Sequence, residues 1–398
     1  MIEVREAREE DRDSAIKVMW KSHEQTTPYR ETREADWVKR WHTPENEDWG
    51  FVAVDGDRVV ALVNFFASEN NLIRGQPVRS SCVCGVATDP AYRRRGLIRK
   101  IYELAFPAMR ERGMVLSILD PFYQLFYEKF GYTLAEKRMK HVFKPEHLRP
   151  TKGPSDIEAR EIQGLEDLDK LAQVERAMAR FGSRLFFPKH LLEKQAKEGD
   201  PFGYLLERGS EPVGSVKFWF RKAGEDVAGT VGFTRYTTDD VFPAIVELVY
   251  KHLPNIGQAT WYTDQDVPVR HFMKYTEDVQ SYSIGSMMMR VVDFEGYCRS
   301  ISVPSSAKAS IVVELKDEQC SWNTGKYKLV PNRGRLQIES VDTAADIVLD
   351  ALQVSKVVSG LIPASVLRAF GEIQCSKAIA NTLESIFPED VFLSYLRF

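Results

Sequence analysis

The sequence predicts an α/β (α+β) chain of three parts: two similar mixed-sheet units and a smaller C-terminal α+β unit. Three observations carry this expectation. One order of elements (helix, hairpin, strand, helix, strand, short helix) runs up to Tyr132 and recurs from Leu165 to Tyr275. Between the two runs, Lys144 to Asp156 holds three prolines and Gly153, the composition of a linker. After Gly296 the pattern changes to alternating strands interspersed with helices. The expected domains are 1–147, 148–295 and 296–398, each of a size that one hydrophobic core supports.

Composition bounds the function. With 43% hydrophobic and 28% charged residues the chain can fill cores, which excludes wholesale disorder. A net charge of -3 gives no electrostatic reason to expect nucleic acid or an anionic membrane as partner. Five scattered cysteines fit free thiols in a reducing compartment, with Cys82 and Cys84 pointing to one face of a strand as small buried side chains. The seven histidines show no ligand spacing, so no metal is expected. The amino-terminal MIEVREAREEDRD lacks the apolar core of a signal peptide and no apolar run is long enough to span a bilayer; the cytoplasm is the expected location.

In order along the chain, Ile2 to Arg5 alternates as a strand, and Ala15, Ile16, Met19 and Trp20 have helical spacing. Trp37 and Trp41, four apart, predict a helix over Glu34 to Trp41. Phe51 to Asp55 and Arg58 to Phe66 read as a hairpin about Asp55-Gly56-Asp57, and Ser80 to Thr88 as the next strand. Asp89-Pro90 stops that strand, because proline has no N–H for the ladder. Leu97, Ile98, Ile101, Leu104 and Ala105 mark the inward stripe of a helix that Gly113 ends. Met114 to Leu119 is a continuous apolar run, a strand buried on both faces, and Phe122 to Phe130 is a short helix placing Tyr123 and Tyr127 one turn apart.

The chemistry concentrates at Arg93-Arg94-Arg95-Gly96. Cations at a helix N-terminus oppose the macrodipole unless an anion compensates. Exposed N–H groups, the positive helix end, the arginines and a glycine that permits close backbone approach together make a phosphate cradle. A solvated basic turn and a nucleic-acid contact are the alternatives, the second disfavoured by the net charge. A tyrosine hydroxyl on the short helix could donate a proton to a departing thiolate; a packed aromatic fits the residues as well.

The segment VATDPAYRRRGLIR, with LFYEKFGY downstream, resembles the acetyl-CoA-binding core of GCN5-related N-acetyltransferases (GNAT superfamily), whose cofactor pyrophosphate sits on an R-x-x-G-x-G/A turn at a helix start. Arg93, Gly96 and Leu97 fit; Ile98 departs from the final small residue. The triple arginine, the Tyr-x-x-Phe-Gly-Tyr at Tyr127 to Tyr132 and the length resemble most the Eis (enhanced intracellular survival) family. The resemblance is specific over about fifty residues and architectural elsewhere. It implies acetyl-CoA as co-substrate, backbone groups of Val86, Ala87 and Thr88 along the pantetheine arm, and Arg94, Arg95, Gly96, Leu97, Ile98 and Arg99 around the pyrophosphate. It further implies Tyr127 as general acid, a homo-oligomer, and a primary amine (aminoglycoside, polyamine or lysine) as acceptor.

The second run of elements has Leu165 to Phe181 helical, strands at Gly203 to Glu207, Val213 to Phe220 and Val231 to Tyr236, a helix over Phe242 to His252, a strand at Gln258 to Thr263 and a short helix over Val269 to Tyr275. At its crossover stands Thr237-Thr238-Asp239-Asp240, which would repel a pyrophosphate, so this unit is read as GNAT-like without a cofactor site. Val291 to Gly296 closes it. Beyond, Ser310 to Leu315, Gly325 to Val330 and Arg335 to Ser340 alternate as strands, while Thr343 to Leu352 and Ala364 to Phe370 look helical, a shape similar to the sterol-carrier-like third domain of the Eis family. The tail from Val391 to Phe398 is apolar and aromatic; the residues alone favour a packed strand. In the Eis family the C-terminal carboxylate enters the first domain as general base, and Phe398 matches that position. A non-catalytic acyl-CoA or lipid-binding regulatory protein is the alternative function.

Overall fold

The computed structural model describes residues 2–23, 49–186, 193, 202–223, 226–252, 256–264, 267 and 269–394. They divide into two compact units, Met1–Ala135 with Met287–Asp390, and Glu136–Ser286 with the segment from Val391. The helix expected over Glu34 to Trp41 lies outside the described residues.

The first unit begins with β1 (Ile2–Glu6), α1 (Arg12–His23), β2 (Trp49–Asp55), β3 (Arg58–Ile73) and β4 (Gln76–Thr88). There follow α2 (Leu97–Glu111), β5 (Leu116–Leu119), α3 (Gln124–Glu128) and β6 (Thr133–Leu134). The hairpin of β3 and β4 extends well past the expected strand ends at Phe66 and Ser80, to Ile73 opposite Gln76. Polar residues hide that extension. Ser68 and Asn71, both buried, are 2.8 Å apart at the register shift where the ladder is interrupted, so each satisfies part of the other's hydrogen-bonding need.

Helix α2 buries Leu97, Ile98, Ile101, Tyr102, Ala105, Phe106 and Met109. Each large apolar side chain so buried contributes about 1.5–3 kcal/mol. Leu104, expected in that stripe, is exposed at 41%: at 3.6 residues per turn the buried row passes through Tyr102 and Phe106 instead. The core under α2 is continuous with Tyr127 and Tyr132 below α3, so the short helix is seated on the same apolar mass.

The second unit is built from β7 (Arg138–Phe143), β8 (Ile157–Glu161), α4 (Leu168–Ala177), β9 (Arg184–Leu185), β10 (Gly203–Arg208), β11 (Glu211–Ala223), β12 (Asp226–Tyr236), α5 (Phe242–His252), β13 (Gln258–Asp264) and β14 (Val279–Ile284). Its sheet runs β14-β7-β13-β12-β11-β10-β8, with β12 and β13 parallel. The short helix expected over Val269 to Tyr275 is a single 3₁₀ turn, Val269–Phe272. The chain then returns to the first unit as β15 (Met288–Val291), which pairs antiparallel with β5 and β6, so that the first sheet reads β1-β2-β3-β4-β5-β15-β6.

The first sheet gives way to the second after β6 and resumes at β15, because β7 pairs with β13 and β14 whereas β15 pairs with β5 and β6. The Pro-rich segment that suggested a boundary at 147 follows β7 and includes the 3₁₀ turn Pro145–His147. In the last part come α6 (Phe294–Ser300), β16 (Ile311–Lys316), β17 (Gly325–Asn332), β18 (Arg335–Ser340), β19 (Ile347–Asp350), α7 (Ala351–Ser359), α8 (Ala364–Ala369), α9 (Lys377–Ile386) and β20 (Leu393–Ser394). The helix expected over Thr343 to Leu352 resolves into β19 followed by α7. Ile347 and Leu349 are buried and Val348 is exposed, a period of two, and a capping box between Asp350 and Gln353 starts the helix. No helix among the described residues is long and apolar enough to cross a membrane.

Candidate active site

Strands β4 and β5 pair in parallel only from Ser80 opposite Leu116 to Val83 opposite Leu119. Beyond Val83, β4 stays with β3, whereas β5 ends and the chain turns through Asp120 and Pro121. A cavity of about 310 Å³ opens there, at the carboxyl ends of two parallel strands, where open α/β sheets place their ligands. The pairing of β3 with β4 shifts between Leu62 opposite Ala87 and Asn64 opposite Cys84, so Gly85 and Val86 face the single residue Val63. Gly85 has φ +60, and a Cβ on it would meet the Met19 methyl at 3.2 Å and the Asn64 amide nitrogen at 3.3 Å. The bulge thus needs glycine twice over, for its conformation and for its space.

Around this opening, α1 supplies Ile16, Met19 and His23, β3 supplies Asn64, β4 supplies Val83 to Val86, and the chain after β5 supplies Asp120, Phe122 and Tyr127. His23 donates from Nε2 to the Val86 carbonyl at 3.1 Å, and the Ser22 hydroxyl donates to the Thr88 carbonyl at 3.1 Å. The end of α1 is thereby fixed to the strand edge that the cavity uses.

Tyr127 lines the cavity and is 3% exposed. Its ring is held edge-on by Phe126 at 5.0 Å, Phe122 at 5.9 Å and Tyr132 at 6.1 Å. Burial, with the neighbouring Tyr132 and the Asp120 carboxylate, holds its pKa well above the ordinary phenol value, so it carries its proton at any physiological pH. Tyr132 is fully buried and bonded to the Ser117 hydroxyl at 2.7 Å; burial pushes its pKa up to about 12. Behind it Arg290 on β15, also fully buried, lies 4.3 Å from the Phe106 ring and donates to Asp317 at 2.9 Å. Tyr123, expected to share the face of Tyr127, precedes α3 in extended conformation and is 55% exposed.

The arginine turn is shaped by its backbone. Arg94 (φ +64) and Gly96 (φ +74) both adopt left-handed conformations. No side chain caps α2; its first internal bond runs from the Lys100 N–H to the Gly96 carbonyl, and the preceding N–H groups point out of the helix end. Below the turn, the nearly buried carboxylate of Asp89 accepts from Lys21 at 2.8 Å, from the Ala91 N–H at 3.1 Å, and from Arg58. Arg95 folds back over the Tyr92 ring at 4.8 Å, while Arg93, Arg94 and Arg99 are exposed. An uncapped positive helix end, open space at Gly96 and a fringe of cations fit a pyrophosphate.

The structure brings together at the cavity Val86 and Tyr127 of the expected site residues. Thr88 ends β4, and Ala87 is buried against Leu62 of β3 rather than lining the opening. Leu97 and Ile98 turn their side chains into the core and have only backbone N–H groups to offer, as helix residues after a glycine cap must. Phe398 lies outside the described residues. Cys82 is fully buried, whereas Cys84, in regular register two residues on, lines the cavity because β5 stops pairing with β4 at Val83. Asn64, His23, Asp120 and Asp89 were not anticipated; the one local signal was Asp89 before a proline, an N-capping residue type.

Two family models match the chain: an acetyltransferase (GNAT) domain over residues 3–135 and a sterol carrier protein domain over residues 295–392. An uncharacterised N-acetyltransferase of Streptomyces coelicolor is 22% identical over 335 residues, 80% of each chain. A GCN5-related N-acetyltransferase from Anabaena variabilis superposes over 100% of both chains with TM-score 0.87 at 15% identity. Eis1 from Mycobacterium abscessus does so over 100% of both chains with TM-score 0.79 at 14% identity, a likeness of fold.

Proposed function

For this acetyl-transferring enzyme, a chain with a GNAT domain followed by a sterol carrier protein domain, we propose direct transfer of acetyl from acetyl-CoA to a primary amine in the cavity between β4 and β5. The observation that carries this reading is the placement of a buried, protonated Tyr127 at the opening of the parallel strands, in the same unit as an uncapped helix start suited to phosphate.

The α2 N–H groups with Arg94 and Arg99 hold the pyrophosphate, and the edge of β4 at Val86 meets the pantetheine arm. The amine nitrogen attacks the thioester carbonyl carbon, the C–S bond breaks, and the departing thiolate takes the proton of the Tyr127 hydroxyl. The burial that raises the tyrosine's pKa also raises the proton affinity of a thiolate formed beside it, so donor and acceptor shift together. For the proton shed by the amine we keep the expectation of a carboxylate at Phe398, ionised at neutral pH. Residues appended after Phe398 should then abolish turnover, and an active extended chain refutes that assignment.

The reaction is tested by incubating the full chain with acetyl-CoA and a panel of aminoglycosides, polyamines and lysine peptides, following thiol release and product mass. Acetylated amine is expected. Binding of acetyl-CoA with no acetylated product from any amine would leave a non-catalytic acyl-CoA-binding protein.

A further inference from the structure

We propose that the Asn64 carboxamide donates from Nδ2 to the carbonyl oxygen of the bound thioester and stabilises the negative charge that develops there during transfer. The proposal rests on this cavity being the site of acetyl transfer.

Asn64 interrupts an apolar row of β3. Leu62 and Phe66, two residues to either side on the same face, are buried, and Leu62 packs with Ala15, Val18 and Met19 of α1, whereas the half-buried Asn64 lines the cavity. Strand pairing sets it opposite Gly50 of β2 and Cys84 of β4, so the three share that face. A Cβ on Gly50 would meet Asn64 Oδ1 at 2.6 Å and the Val63 carbonyl at 3.1 Å, and one on Gly85 would meet Asn64 Nδ2 at 3.3 Å. Gly50 lies in strand β2 without positive φ, so glycine there serves space rather than conformation, and the nearest atom it makes room for belongs to this amide.

Among the described residues the Asn64 amide makes no hydrogen bond, and with Oδ1 toward Gly50 its Nδ2 hydrogens face the bulge at Gly85. An amide left without a partner beside Ile16, Met19 and Val83 costs free energy that an acceptor atom on a ligand recovers. The thioester comes to the same place. Val86, next to Gly85, meets the pantetheine arm in the proposed complex, and Tyr127 lines the same cavity to meet the sulfur. The one strong acceptor of an acetyl thioester is its carbonyl oxygen. As the amine's lone pair forms the C–N bond, the carbonyl π pair moves onto that oxygen, where the Asn64 N–H holds it in a partly water-excluded space. The pair returns as the C–S bond breaks; the sulfur takes the Tyr127 proton, and the nitrogen's proton passes to the base expected at Phe398.

The test pairs binding with turnover in the full chain. Acetyl-CoA and S-ethyl-CoA, a thioether that lacks the carbonyl, are titrated calorimetrically into the parent and into Asn64→Ala. The variant should bind acetyl-CoA about 2- to 10-fold more weakly, the worth of one neutral hydrogen bond, and S-ethyl-CoA as the parent does, which also reports a folded site. In thiol release with the amine panel its kcat should fall on the order of 10²–10³-fold, well beyond the loss in binding. Asn64→Asp keeps the shape and lacks the N–H donors, so it should fare no better than Asn64→Ala. Parental kcat in Asn64→Asp overturns the proposal. So does an Asn64→Ala that weakens both CoA ligands equally, as a purely structural role requires, or that weakens neither. A parent that acetylates no panel amine defeats the transfer reading, and the carbonyl contact then stands or falls on the titrations alone.

Discussion

The chain builds a strand, crossover helix and parallel strand twice, and the two copies differ in what occupies the opening between the strands. In the first, β4 and β5 part after Val83 and Leu119, and the space between them is a cavity. In the second, β12 and β13 pair from Ala228 opposite Gln258 to Val231 opposite Trp261. Trp261 is fully buried there, donating to the Thr234 hydroxyl at 2.7 Å and stacking on Phe242, the first residue of α5, at 5.6 Å. The first crossover turn carries cations and two left-handed residues; the second carries Asp239 and Asp240, the latter paired with Arg208 at 2.6 Å. One topology thus leaves a cavity or packs a core depending on a few side chains, which is why fold alone does not assign chemistry.

The largest effect should come from Tyr127, the acid proposed for the first copy. Tyr127→Phe keeps the packed ring and removes the proton, so kcat should fall on the order of 10²–10⁴-fold while the Kd for acetyl-CoA changes little. A variant with unchanged turnover removes the tyrosine from the mechanism. In the second copy, Trp261→Ala should cost about 3–5 kcal/mol of stability, read as a lowered denaturation midpoint, and should create no second acetyl-CoA site because the turn remains acidic. Between the turns, Gly96→Val forces a β-branched residue into a left-handed conformation costing about 1–2 kcal/mol, which should weaken acetyl-CoA binding roughly tenfold in a titration.

The smallest effect concerns the brace beneath the first turn. Burial alone would raise the pKa of Asp89, but Lys21, the Ala91 N–H and Arg58 outweigh it and hold the folded value below the ordinary one. That contribution to stability is present above the unfolded carboxyl pKa of about 3.9 and is lost as the pH falls through the lower folded value. Asp89→Asn should cost about 1–3 kcal/mol at pH 7 and less in acid, a difference visible in denaturation midpoints at the two pH values.

Much of this contrast could be read from local pattern. The arginine turn, the apolar stripe of α2 and the acidic second turn are contiguous residues whose chemistry does not depend on distant partners. What escaped reading was set by pairing across the sequence. Strands β7 and β15 exchange neighbours at ranges no periodicity records, Ile347 to Asp350 shows its period of two only over four residues, and Ser68 and Asn71 look like loop residues until each is seen buried with the other. The cavity shows the same division. Tyr127 was legible as part of a motif, whereas Asp120, His23 and Asn64 come from three different segments and meet only because β4 bulges at Gly85 and α1 packs against it.

The central claim is that the first copy alone binds the acyl donor. Equilibrium titration of the full chain with acetyl-CoA tests it most directly. The account predicts one equivalent bound per chain, with affinity lowered about tenfold by Gly96→Val. Two equivalents per chain, or one whose affinity ignores that substitution, would contradict it.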